Sequence, residues 1–174
     1  LDSEWGGEAM CFQKPVRELL EHQMDCDVVP ADLLISVPEF HDHELHINGN
    51  RYRVFIIPAC SRLPIQAAGF LEQAYRNRIP VFMVDRLPEC MTDGTALPQE
   101  AKMWMRVVPL HGLATAAEAV SEPFVCLNRT EKDLRVCCYD RTDTTIYFFF
   151  NENSYRRLEA DVRIPFLQGK QFRI

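Results

Sequence analysis

The chain has 174 residues, 47% of them hydrophobic and 25% charged, which suits one cored domain of roughly 100–200 residues, or one with a small appendix, and excludes an eight-fold barrel of about 250. A net charge of -6 without a basic stripe argues against a nucleic-acid partner, whose phosphates need clustered Lys and Arg. No apolar run approaches the ~18–20 residues of a membrane span and LDSEWGG is no signal pattern, so a soluble chain is expected, its abrupt start without Met reading as a cut from a longer polypeptide or a processed terminus.

In chain order, KPVRELLEHQ places Val16, Leu19, Leu20 and Gln23 at helical spacing behind a first-turn proline, which predicts helix one. Asp27-Val28-Val29 suits a short strand, and Pro30 to Leu34 a turn and a brief helix. Leu45 and Ile47 alternate with polar residues ahead of a turn at Asn48-Gly49-Asn50. Val54 to Ile57 form an unbroken apolar run ending at Pro58, the pattern of a strand covered on both faces.

Helix two is expected from Leu63-Pro64, with Ile65, Ala68, Leu71 and Ala74 or Tyr75 on one face and Asn77 as a left-handed stop. Ile79 to Val84 repeat the buried-strand pattern, giving a right-handed strand-helix-strand crossover. Leu87 to Gln99 read as a loop at a strand's carboxyl end, where such sheets place ligands. MRVVP and ATAAEAV suggest a further short strand and helix. From Pro123 the helical periods vanish, and Leu134–Tyr139, Thr144–Asn151 and Arg157–Ile164 read as antiparallel strands joined by turns at 140–143 and 152–154. The expected fold is therefore α/β over 1–122 with a small antiparallel β segment over 123–174. Alternate phenylalanines of 146–151 are expected to seal that segment against the α/β part, the others facing the missing part of a longer polypeptide.

Several clusters suggest chemistry. On an extended strand His41 and His43 share a face and would hold a metal with Asp42 or Glu44, while His46 points away; a solvated loop explains the same residues. The turn after Val84, where an α/β domain would carry its nucleophile, reads Asp85-Arg86-Leu87-Pro88, without thiol or hydroxyl. A Cys90–His111 dyad requires the fold to bring the two together. Seven glycines without a G-x-G-x-x-G run give no nucleotide fingerprint, and Ser61 reads as a helix cap. Asn151-Glu152 has the form of a glycosidase acid/base pair, with Asp143 or Glu159 as partner, but a hairpin turn offers no cleft and a solvated turn glutamate is expected. Trp5, Trp104 and Tyr155 are candidates for a sugar-binding groove or for ordinary packing. Seven cysteines, an odd number without a C-x-x-C pair, read as reduced thiols, which favours the cytoplasm.

Two motifs carry a family resemblance. Tyr52 to Pro58 with Leu63-Pro64, and Ile146 to Glu152, resemble the strand-to-helix passage and aromatic strand of the non-catalytic carboxyl-side region of bacterial glycoside hydrolases of the α-L-rhamnosidase and β-galactosidase-like types. The resemblance implies a class I glutamine-amidotransferase-like, flavodoxin-like three-layer domain whose nucleophile position is filled by about Asp85 or Arg86, so amidotransferase chemistry is not expected. It further implies that this chain holds no catalytic, cofactor or metal residue. The parent's catalytic carboxylates would lie upstream, and its other domains, or further copies in a homo-oligomer, would be the partners.

Overall fold

The computed structural model describes residues 12–36 and 38–165. Helix α1 (Gln13–Glu21) opens the described chain. From Val16 to Asp27 the chain belongs to a compact unit completed by the stretch from Glu122 onward; Val28–Ser121 form the body of a second compact unit. Helix one was expected in the α/β part; its grouping with the β segment has a local cause. Gln23, just past the helix at φ 57°, is buried, and its Nε2 donates to the carbonyls of Glu131 at 2.8 Å and Leu134 at 2.9 Å.

The larger unit begins with α2 (Leu33–Ser36) and a three-stranded antiparallel meander, β1 (Glu39–His41), β2 (Glu44–Ile47) and β3 (Asn50–Tyr52). Leu45 and Ile47 are buried as their alternation predicts, and Asn48-Gly49 turn between β2 and β3 with positive φ at both. The expected strand at 27–29 makes no ladder; Val28 is exposed and the segment is the connection between the units.

The core of this unit is a parallel sheet in the order β4 (Phe55–Ile57), β6 (Val81–Val84), β8 (Arg106–Val108). The α/β class of the sequence reading is thus present. All four residues of β6 are buried, as a central strand covered on both faces requires. Helix α3 (Ala67–Arg76) connects β4 to β6 and buries Phe70, Leu71 and Ala74. It starts four residues later than expected, because Arg62-Leu63 form β5 (Arg62–Leu63), pairing in parallel with β7 (Cys90–Met91). Ser61 is therefore no cap: Gln66 precedes the helix without a side-chain cap bond, and Ser61 uses its carbonyl to accept Glu89 N–H at 2.9 Å. Ile65 and Tyr75 lie off the buried face and are exposed.

The stop of α3 also differs from expectation. Asn77 has φ -90°, and the left-handed residue is Arg78, φ 59°. Arg78 N–H donates to Tyr75 O at 3.0 Å and Ile79 N–H to Ala74 O at 2.9 Å, the paired bonds of a Schellman ending whose left-handed position is normally glycine. Arg78→Gly is therefore expected to raise stability by about 1 kcal/mol, the left-handed cost of a side chain, read as a higher thermal midpoint. The side chain is exposed and makes no ion pair among the described residues, so nothing there opposes that gain.

Beyond β7, Asp93 Oδ1 accepts both Thr95 N–H at 2.9 Å and Thr95 Oγ1–H at 2.6 Å, and Gly94 at φ 84° completes a tight turn where a long loop was expected. Helix α4 (Ala101–Trp104), which the sequence reading lacked, and α5 (Leu113–Glu118), behind a 3₁₀ turn at Leu110–Gly112, complete the unit.

In the smaller unit β9 (Cys126–Leu127) pairs with β12 (Val162–Arg163), and β10 (Leu134–Arg141) with β11 (Thr144–Asn151). The hairpin β10–β11 forms where it was expected, but β10 runs two residues past the expected end at Tyr139, because Asp140 and Arg141 pair with Thr145 and Thr144. The third run does not return along β11: only Val162-Arg163 enter a ladder, and that ladder is with β9. The chain leaves β11 through amide-stabilised turns instead. Asn151 Oδ1 accepts Asn153 N–H at 2.9 Å, and Asn153 Oδ1 accepts the N–H groups of Tyr155 and Arg156 at 3.0 Å.

Candidate functional site

The HDHELH segment folds back on itself. Asp42 and His43 both have positive φ, 49° and 64°, making a two-residue primed turn between β1 and β2. Glu39 stands opposite His46 and His41 opposite Glu44, and because opposite residues of an antiparallel pair share a face, Glu39, His41, Glu44 and His46 all project to the same side. The expectation that His41 and His43 share a face is corrected: His43 is in the turn, its Nδ1 3.0 Å from Asn77 O. Among the described residues no three His, Cys, Asp or Glu side chains are preassembled as a metal site.

At the carboxyl end of β6, Asp85 adopts φ 62°. The strained conformation typical of a nucleophile position is present, but the residue acts as a clasp. Its N–H donates to Val108 O at 2.9 Å and its Oδ1 accepts Leu110 N–H at 2.8 Å, locking the ends of β6 and β8 together. Cys90 lies half-buried in β7 and His111 is exposed in the 3₁₀ turn; no hydrogen bond joins them.

Glu152 makes a 2.7 Å ion pair with Arg135, and its N–H donates to Asp133 O at 2.8 Å. Asp143 is just beyond the far end of the eight-residue β11, roughly 30 Å away at ~3.3 Å per residue, well beyond the ~5–9.5 Å of a glycosidase pair. Glu159 pairs its carboxylate with Arg157 at 3.3 Å and its carbonyl with Arg129 at 2.6 Å. Trp104 packs against the core, Tyr155 is fully exposed in a turn, and Trp5 lies outside the described residues.

A cavity of about 570 Å³ in the smaller unit is lined by Thr130, Glu131, Lys132, Asp133, Asn153 and Arg156. Its polar groups are largely turned on one another. The buried Glu131 carboxylate receives Arg129 and Arg156, each at 2.7 Å, and Asp133 receives Asn153 Nδ2 at 2.9 Å. Loops 129–134 and 152–156 are thereby tied together.

The β10–β11 ribbon carries the most distinctive surface. Register puts Tyr139 opposite Ile146, Cys137 opposite Phe148 and Arg135 opposite Phe150 on one face. Tyr139, Ile146, Phe148 and Phe150 are 59%, 42%, 56% and 51% exposed. On the opposite face Val136 is buried, while its partner Phe149 stays 40% exposed.

No protein-family model, curated protein or solved structure matches this chain.

Sequence reasoning missed two features of these sites. The shared face of His41 and His46 was hidden because Asp42-His43 turns without glycine, and the clasp at Asp85 because a carboxylate there reads as a missing nucleophile. Among the described residues no helix is long and apolar enough to cross a membrane, and none of the six described cysteines is in a disulfide. At Cys26 burial first, then the carboxylates of Asp25 and Asp27, push the thiol up to about 11.

Burial also raises the Asp25 carboxyl, against the Cys26 N–H it accepts and with a further push from Asp27. Two results are expected. Cys26 resists iodoacetamide at pH 8, where only about one thiol in a thousand is ionised, and Asp25→Asn speeds its labelling. With its folded value raised, Asp25 favours the fold below its unfolded value near 3.9, and that contribution is lost as pH rises through the folded value. Asp25→Asn should therefore stabilise at neutral pH, the gain fading by about pH 4, as thermal melts across pH would record.

Proposed function

We propose that this chain is an accessory, non-catalytic interaction module of a larger carbohydrate-active hydrolase, with its α/β unit a reduced member of the flavodoxin-like, amidotransferase-like class. The observation that carries the reading is the aromatic face of β10–β11. Four half-exposed side chains that each present ~150–250 Å² when free leave an apolar patch of roughly 400 Å², within the range in which exposed patches commonly mark interaction sites. Charges stand only at the ends of Tyr139, Ile146, Phe148 and Phe150: Arg141 opposite Thr144 at one, and Arg135 opposite Phe150, paired with Glu152, at the other. The resemblance of Ile146 to Glu152 to the aromatic strand of β-galactosidase-like enzymes names the partner: the remaining domains of the parent polypeptide, or a further copy in its oligomer.

Two measurements test this. Nitrophenyl glycosides, rhamnosides and galactosides included, are expected to remain uncleaved by the chain alone; turnover that disappears on Glu152→Gln would overturn the non-catalytic role. Carbene footprinting is expected to label Tyr139, Phe148 and Phe150 strongly in the chain alone and weakly in the longer polypeptide translated from its own reading frame. Equal labelling in both would remove the docking role.

A further inference from the structure

The outward face of the β1–β2 hairpin has a geometry that the proposed docking role does not use. The imidazole centroids of His41 and His46 are 5.5 Å apart with planes at 89°. His41 Nε2 lies 3.4 Å from Glu39 Oε2, and His46 Nε2 lies 3.9 Å from Glu44 Oε2. A zinc ion binds imidazole nitrogen and carboxylate oxygen at about 2.0–2.2 Å in a tetrahedron, which sets neighbouring ligand atoms roughly 3.3 Å apart and the centroids of two shared imidazoles roughly 5 Å apart. The His41–Glu39 and ring-centroid separations come within about half an ångström of those values, so the side chains are near enough to be drawn onto one ion though they do not yet converge on it. The agreement follows from the fold, because the primed turn at Asp42-His43 holds the strands in the register that stacks these side chains on one side.

We propose that this face binds a divalent transition-metal ion of the zinc type through His41, His46 and Glu39, with water completing the shell. Two neutral imidazoles and one carboxylate are the donor set that suits borderline ions and discriminates against calcium and magnesium, which take oxygen ligands. Glu44 is engaged elsewhere, since its Oε1 accepts from Arg53 Nε at 2.9 Å, and its Oε2 lies 3.9 Å from both Arg51 and His46. Its carboxylate is thereby occupied by arginines rather than free to bind the ion. The three ligands are not preassembled, so binding gathers them by rotation of exposed side chains, and Arg51 across the sheet from His46 weakens the attraction for a cation. A modest, reversible site is expected, unlike a closed structural zinc.

The test is calorimetric titration of the intact chain with Zn²⁺ at pH 7.4, beside the variants His41→Ala, His46→Ala and His43→Ala. The first two are expected to lose affinity by about tenfold or more, the change seen when metal-site groups are removed, and His43→Ala to keep it. Imidazole NMR signals of His41 and His46, and not of His43, should shift as zinc is added. Binding that survives both His41→Ala and His46→Ala would assign the ion to the thiols and overturn the proposal, as would an absence of binding. Equal loss in all three variants would overturn it too, by showing a general effect of the hairpin. All three histidines lie at the surface of the hairpin or its turn, and unchanged circular dichroism checks that each variant folds.

Discussion

Gln23→Glu is expected to destabilise the smaller unit by about 3 kcal/mol or more, because it turns a buried donor into an acceptor facing carbonyl oxygens. Gln23 Nε2 lies within 3.1 Å of Glu21 O, 2.8 Å of Glu131 O and 2.9 Å of Leu134 O. The first acceptor is on α1, and the other two flank the start of β10. A carboxylate there meets three partial negative charges without a proton to offer. For a unit of this size the loss corresponds to a fall in thermal midpoint of more than about 10 °C. Gln23→Ala should cost less, about 2 kcal/mol, since it strands the carbonyls without adding a charge. The two variants separate further with pH. The glutamate's folded value would be raised by its surroundings, so its defect should shrink as pH falls and the carboxyl regains a proton, while the alanine defect stays constant. Equal effects at all pH values would mean that the amide is not the tie between α1 and β10.

The second large effect is expected in the other unit. Leu71, fully buried on α3, lies in the cluster with Leu45, Leu63, Val81 and Met83. Leu71→Ala should cost about 3–4 kcal/mol, combining lost transfer energy with the cavity left beneath the crossover helix. Urea or thermal unfolding would show it as an earlier transition. Tyr75→Ala on the exposed side of the same helix is the internal control, expected within about 0.5 kcal/mol of the parent chain. A comparable loss at both positions would contradict the burial pattern described for α3.

What the sequence made legible is physically uneven. Strands β4 and β6 were readable because a parallel strand covered on both faces leaves an unbroken apolar run, and the β10–β11 hairpin because two long apolar strands flank a polar turn. The start of α3 was not readable. Leu63-Pro64 looks like a helix entry, but Leu63 is recruited into a ladder with Met91, a partner nearly thirty residues on that no local pattern announces. The left-handed stop was misplaced by one residue because Asn is the usual substitute for glycine, whereas here the bonds from Arg78 and Ile79 to the helix carbonyls impose the conformation on an arginine. The histidine face was missed for the same kind of reason: two side-chain-bearing residues take positive φ in a turn that contains no glycine. The aromatic strand was legible as a strand, but its exposure was not, because a period of two says which residues share a face and nothing about what covers it.

That strand has a bearing on how the protein behaves at high concentration. Thr144–Asn151 is eight residues of β-branched, aromatic and polar side chains without charge, proline or glycine, the composition of segments that stack into cross-β fibrils. Arg141 and Asp143 on one side and Glu152 on the other stand as gatekeepers, since like charges brought into register in a stack repel. Concentrated samples of the chain are therefore expected to be kept from fibril growth by three flanking charges.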